Sequence, residues 1–218
     1  MSNLADESLR ISEIFFSLQG ETSRVGLPTV FVRLTGCPLR CTYCDTTYAF
    51  TGGQTMSLQS ILQQVEQYSP RFITVTGGEP LAQKNSQLLM RSLCDAGYEV
   101  SLETGGMLDV SGVDERVSKV VDLKTPASGE MAKNLLNNLE HLHPQDEIKF
   151  VLCGEADYQW AKQMMIEHRL TERCDVLFSP AQGQLAPQDL AEWILRDRLP
   201  VRLQVQLHKM LWGNEAGH

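Results

Sequence analysis

Val30-Phe31-Val32-Arg33-Leu34-Thr35-Gly36-Cys37-Pro38-Leu39-Arg40-Cys41-Thr42-Tyr43-Cys44 joins a branched, strand-forming run to a loop with three cysteines spaced C-x3-C-x2-C. One loop of that spacing can wrap a small metal cluster, and it supplies three thiolates. A cubane iron–sulfur cluster has four irons, so three protein ligands leave one iron open to bind and reduce a small molecule. A structural zinc site is the first alternative, but it wants four ligands, and the nearest histidine in sequence is His141. A ferredoxin-type run would carry a cysteine where Thr47 stands. Three free thiols, or a disulfide and a spare, also remain open on spacing alone.

Working outward, short strand-like runs alternate with helical stretches. Residues 30–34, 72–76, 98–102, 119–123, 148–152, 176–178 and 203–207 read as buried strands, with residues 11–17 an additional N-terminal strand. Residues 58–68, 81–96, 131–141, 156–168 and 188–198 carry apolar residues at helical spacing. Ser57 suits an N-cap, Pro80 and Pro187 suit first-turn positions, and Gly97 suits the end of a helix. Strand–helix–strand repetition implies parallel strands with right-handed crossovers. The chain is short for a closed eightfold barrel of about 250 residues, so the expected fold is α/β: a partial, open TIM-like barrel of about six βα units. No linker or internal repeat divides it, and residues 1–218 are expected to form a single domain.

The 19 basic and 27 acidic residues give a net charge of −8, which argues against nucleic acid as a partner. No apolar stretch approaches the roughly 20 residues of a membrane span. Residues 1–10 are polar, without the apolar core of an export signal. Six cysteines without such a signal fit a reducing cytoplasm. Cys94, Cys153 and Cys174 are expected to pack; His141, His143, His168 and His218 to be structural or exposed.

In parallel α/β folds the site gathers at the C-terminal ends of the strands. The cysteine loop follows the first of the repeated strands, Thr76-Gly77-Gly78-Glu79-Pro80 the second, Glu103-Thr104-Gly105-Gly106 the third and Lys124-Thr125-Pro126 the fourth. Ser179-Pro180-Ala181-Gln182-Gly183 follows the strand near Phe178, so every motif falls on one rim. The glycines at 77 and 78 let backbone approach a ligand, and Glu79 can accept from an ammonium; a plain glycine turn before a helix reads equally well.

The cysteine spacing, Tyr43 before the last cysteine and the Gly-Gly-Glu-Pro turn together resemble the radical S-adenosylmethionine superfamily. Upstream, Glu13-Ile14-Phe15-Phe16-Ser17-Leu18-Gln19-Gly20-Glu21, then Gly26-x-Pro28, Arg33 and Cys44-Asp45-Thr46, is similar to the 7-carboxy-7-deazaguanine synthase family, commonly called QueE. The likeness continues in order through 76–83, 102–106, 122–126 and 179–183 to Gln204-Val205-Gln206-Leu207-His208-Lys209.

The resemblance implies a carbon–nitrogen lyase that converts 6-carboxy-5,6,7,8-tetrahydropterin to 7-carboxy-7-deazaguanine with loss of ammonia, toward queuosine and related deazapurines. A radical removes hydrogen from C6, the ring contracts, and S-adenosylmethionine is regenerated. It implies a 4Fe-4S cluster on Cys37, Cys41 and Cys44, and magnesium on Thr46. S-adenosylmethionine would meet Tyr43, Asp45, Gly77, Gly78, Glu79, Thr104, Lys124, Thr125, Pro126, Ser179 and Gln182. The pterin would meet Leu18, Gln19, Gly20, Glu21, Arg33, Thr76 and His208, with the planar Arg33 fork on its carboxylate. No side chain is assigned as an acid–base catalyst. A homodimer and an electron donor such as flavodoxin or ferredoxin are implied as partners. Gly105 departs from the family pattern, which places serine or asparagine after Glu-Thr, and the tail runs on past Gly213. Two alternatives stand beside this reading: a glycyl-radical-enzyme activase of the same superfamily, and a non-catalytic zinc or iron–sulfur protein with a fourth protein ligand.

Overall fold

The computed structural model describes residues 4–213, 215 and 217. The expectation for His218 lies outside the described residues, as do residues 1–3 of the polar N-terminal stretch. The chain builds one nine-stranded sheet. In sequence order its strands are β1 (Ser8–Leu18), β2 (Pro28–Leu34), β3 (Gln54–Ser57), β4 (Phe72–Gly77), β5 (Glu99–Thr104), β6 (Ser118–Asp122), β7 (Glu147–Leu152), β8 (Asp175–Pro180) and β9 (Arg202–Leu203). Their spatial order is β3-β1-β2-β4-β5-β6-β7-β8-β9, so β3 and β9 are free edges and the sheet is open. From β2 to β9 every neighbouring pair is parallel, while β1 joins β2 and β3 antiparallel.

Alternation along the strands gives the sheet two different faces. Val30, Val32, Leu34, Ile73, Val75, Val100 and Leu102 are buried and pack with α1 (Leu58–Glu66) and α2 (Ser86–Asp95). Val121, Ile148, Phe150, Leu152, Val176 and Phe178 pack with α3 (Glu155–Glu167) and α4 (Pro187–Asp197). Each such side chain removed from water stabilises the fold by about 1.5–3 kcal/mol. The residues between them, including Arg33, Thr76, Glu103, Asp122 and Lys149, line a cleft on the other side.

Local signals act as expected at several ends. The Ser57 hydroxyl accepts from Ser60 N at 3.1 Å, Pro187 opens α4, and Gly97 follows α2 with φ +91°. Three expectations are corrected. Residues 81–96 are not one helix: a 3-10 turn, Pro80–Ala82, precedes α2, because extended Gln83 sends its amide to the backbone of Arg10 and Thr35. Residues 131–141 form two 3-10 turns, Met131–Lys133 and Leu136–His141, instead of a helix. Asn134 exchanges hydrogen bonds with Lys124, while Asn138 donates to the Gly106 and Leu108 carbonyls, so both amides serve tertiary backbone. Residues 203–207 are not a strand beyond Leu203, since Leu207 N donates to Gly20 O at 2.9 Å and starts α5 (Leu207–Trp212). No helix among the described residues is long and apolar enough to cross a membrane.

Candidate active site

At the C-terminal ends of the parallel strands lies a cleft of about 510 Å³. Cys37, Cys41 and Cys44 line it, partly buried and free of disulfides. Their loop is clamped from two sides. Gly78 N donates to Leu34 O at 3.0 Å and Glu79 N to Gly36 O at 2.8 Å, while Thr42 N donates to Ser128 O at 3.1 Å. A Cβ on Gly78 would sit 2.1 Å from Gly36 O, and one on Gly77 2.2 Å from Leu34 O. The two glycines therefore let the second motif press against the cysteine loop.

Across the cleft is a charged network. Lys149 is ion-paired with Glu21, whose other oxygen accepts from the Gln206 amide at 2.9 Å. Glu103 accepts from Gln19 Nε2 at 3.2 Å and Thr76 Oγ1 at 2.9 Å. Asp122 is the in-register neighbour of Lys149 and pairs with Lys124 at 2.9 Å. Burial works to raise Glu21, but the charge and hydrogen bond of Lys149, with the Gln206 amide, hold it below its ordinary value. Burial raises Glu103, Lys149 opposes, and the nearby Glu21 charge adds to the rise. Arg33 Nε donates to Glu13 at 2.6 Å, with its guanidinium between the Phe15 and Tyr48 rings. That bond and the rings fix its orientation.

α5 closes one end. Gln206 Nε2 reaches Asp45 at 3.3 Å and Lys209 Nζ lies 3.4 Å from the same oxygen. A Cβ on Gly20 would meet His208 Nδ1 at 2.1 Å, so Gly20 lets the helix close down. His208 thus sits on a helix rather than a strand, and burial lowers it below its usual value against the pull of Glu21 and Asp45.

A Radical SAM superfamily model matches residues 31–166. A 7-carboxy-7-deazaguanine synthase from Chlorobaculum tepidum is 48% identical over 211 residues, covering 95% of this chain and 96% of that protein. The chain belongs to the 7-carboxy-7-deazaguanine synthase family. Another synthase of that name, from Koribacter versatilis, is 43% identical across 95% of this chain and 99% of its own. The crystal structure of QueE from Escherichia coli shares the fold with TM-score 0.76 at 22% identity, covering 92% of this chain and 95% of that one. SuiB from Streptococcus suis, bound to its precursor peptide, gives TM-score 0.58 over 78% of this chain and 46% of its own.

Membership makes this a radical S-adenosylmethionine enzyme with a 4Fe-4S cluster. The residues fit that group. Three thiols from one loop share the cleft, and among the described residues no three His, Cys, Asp or Glu side chains close around a single ion. Tyr43 OH, Asp122 Oδ1 and Ser179 Oγ are buried at the cleft without a hydrogen-bond partner among the described residues. Orphaned polar atoms at a cleft wall are what a polar ligand would satisfy.

Of the residues this synthase family implies, Leu18, Gln19, Gly20, Glu21, Arg33, Tyr43, Asp45, Thr46, Thr76, Gly77, Gly78, Thr104, Lys124, Ser179, Gln182 and His208 line the cleft with the cysteines. Three do not. Glu79 is fully buried behind the rim, accepting from Leu81 N, the Thr104 hydroxyl and Gly105 N at 2.7–3.0 Å. It ties the second and third loops together. Thr125 donates to Val151 O at 2.9 Å and Pro126 opens a 3-10 turn, both supporting the wall from outside. At Gly105 the backbone N–H takes over the expected side-chain bond, and a Cβ would meet Leu39 at 2.8 Å. Missed by sequence reasoning were Glu103, Asp122, Lys149 and Gln206, all on the cleft. A signal was present for all three: Asp122 and Lys149 are charged residues inside apolar parallel strands, which must face a partner or a site, and Glu103 opens a motif already placed on the rim.

Proposed function

We propose that this chain converts 6-carboxy-5,6,7,8-tetrahydropterin to 7-carboxy-7-deazaguanine with loss of ammonia, a step toward queuosine and related deazapurines. The observation that carries this reading is identity of 48% to a synthase of that name along 95% of the chain, with the polar set Gln19, Glu21, Arg33 and Glu103 on the same cleft as the three cysteines. When bound, the cluster and S-adenosylmethionine supply a radical able to remove hydrogen from carbon. The chain's own residues bind and orient. Arg33 meets the substrate carboxylate with the guanidinium nitrogens that Glu13 leaves over. Glu21, kept ionised by Lys149, accepts from pterin N–H groups, and Glu103, which already accepts from Gln19 and Thr76, adds a second carboxyl to that wall. Phe15 and Phe31, stacked at 4.9 Å, give a flat ring an apolar wall. Tyr43, Asp122, Lys124, Ser179 and Gln182 receive the cofactor's polar groups.

Magnesium would sit at Thr46, whose hydroxyl donates to Asp45 at 2.8 Å. An ion held by one or two protein oxygens there would complete its shell with waters and substrate oxygens, as magnesium commonly does. The reading further includes a single domain spanning residues 1–218, a homodimer, a cytoplasmic setting, and an electron donor such as flavodoxin or ferredoxin. The activase reading loses ground because the synthase likeness extends to the pterin side of the cleft. Mass spectrometry of the reduced, reconstituted protein given the carboxytetrahydropterin tests the proposal. The deazaguanine is expected without net consumption of S-adenosylmethionine; deoxyadenosine with no deazaguanine product would reduce the assignment to the superfamily.

A further inference from the structure

The outer side of the cysteine loop differs in charge from the rest of this −8 chain. Arg40 is exposed, donates to the Cys37 and Leu39 carbonyls at 2.6 Å each, and lies 4.3 Å over the Phe50 ring. Exposed Lys133 reaches Pro38 O at 3.3 Å, and exposed Arg10 bonds to Gly52 O, two residues beyond Phe50. Glu130 pairs with Lys133 at 2.7 Å and accepts from Arg40 N at 2.5 Å, and it is itself buried. Next to Lys133 the chain exposes three apolar side chains: Met131 at 39%, Leu135 at 37% and Leu136 at 41%. They stand on the 3-10 turns that replace the expected helix, held by Leu135 N on Gly106 O at 3.0 Å. None of these six side chains lines the cleft.

We infer that Arg10, Arg40 and Lys133, with Met131, Leu135 and Leu136, form the docking face for an acidic one-electron donor protein. The inference rests on the radical-cluster reading above and names where its reductant binds. Exposed apolar side chains beside exposed cations suit a small, transient interface, and redox encounters bury the least area of the specific complexes. Opposite charge steers such encounters, so the cations act on the association rate. One electron passes from the donor, which is oxidised, to the cluster, which is reduced; no proton or group moves. A contact here ends against the carbonyls of the cysteine loop itself, while the cleft stays free for substrate.

The test follows cluster bleaching in stopped flow with fully reduced flavodoxin as the probe, and photoreduction by neutral 5-deazaflavin as the reference. Arg10→Glu/Lys133→Glu is expected to lower the flavodoxin rate at least about tenfold at low salt, with the gap closing as salt rises. Iron content and deazaflavin reduction stay at wild-type values. Leu136→Ser, which removes the apolar side chain without changing any charge, is expected to lower the same rate without changing its salt dependence. Wild-type flavodoxin rates in both variants would overturn the docking face, as would a loss of dimer with the rate unaltered, which would assign the face to a second copy of the chain. A wild-type chain that forms no reducible cluster would instead sink the functional reading beneath it.

Discussion

Replacing Lys149 with Met removes the cation that Glu21, Glu103 and Asp122 all feel, and Glu21's ion-pair partner, while keeping an unbranched side chain of similar length. Lys149 and Glu21 have side-chain exposures of 16% and 13%, so neither is screened as surface ions are. Glu21 then faces an uncompensated buried charge, and its escape is to take up a proton. Holding it neutral costs about 1.4 kcal/mol for each pH unit above its ordinary value of 4.5. That amounts to about 4 kcal/mol at about pH 7.5 and about 1.4 kcal/mol at about pH 5.5. The sign follows from linkage. In the wild type Glu21 is lowered, so its contribution is present above the unfolded value and is lost on acidification. In the variant its folded value is raised, so the penalty grows with pH. Urea unfolding reads this directly: with a slope of about 2 kcal/mol per molar, the midpoint falls by about 2 M at the higher pH and by about 0.7 M at the lower. An equal midpoint shift at both pH values would refute the claim that Lys149 exists to keep Glu21 ionised.

Three further outcomes are expected. Gly78→Ala places a methyl group 2.1 Å from Gly36 O, so the cysteine loop is displaced at a cost of about 1–3 kcal/mol and iron uptake on reconstitution drops; full iron content would show the turn is not what seats the loop. Arg33→Lys keeps the cluster but loses the fork held between Phe15 and Tyr48, weakening pterin binding by about tenfold, or about 1.4 kcal/mol; unchanged affinity removes Arg33 from the site. Gly20→Ala drives a Cβ into His208, so α5 is expected to become protease-sensitive and KM to rise with cluster content intact, whereas unchanged proteolysis would mean the helix does not depend on that close approach.

The fold was legible where residues act locally. Branched runs became strands, Ser57, Gly97 and Pro187 marked helix ends, and the cysteine spacing with the rim motifs located the cleft. It was illegible where side chains form long-range bonds in place of local ones. Asn134 and Asn138 bind the backbone of Lys124, Gly106 and Leu108, which converts an apolar helical period into two 3-10 turns. Gln83 does the same ahead of α2. Within the site, the motif marked Glu79 as a candidate acceptor, but its bonds to Leu81 N, the Thr104 hydroxyl and Gly105 N join two loops that only the fold brings together. Lys149 and Asp122 looked like parts of buried strands and Glu103 like the first residue of a rim loop, and only their register shows that they share one face.

Spin-resonance spectroscopy of the anaerobically reconstituted, reduced protein, with and without S-adenosylmethionine, bears most directly on the open iron. Cys37, Cys41 and Cys44 alone should ligate a 4Fe-4S cluster whose signal shifts when the cofactor's amino and carboxylate groups complete the fourth iron. A signal indifferent to S-adenosylmethionine, or protein purified with a single tetrahedral zinc on those thiolates, would contradict the account.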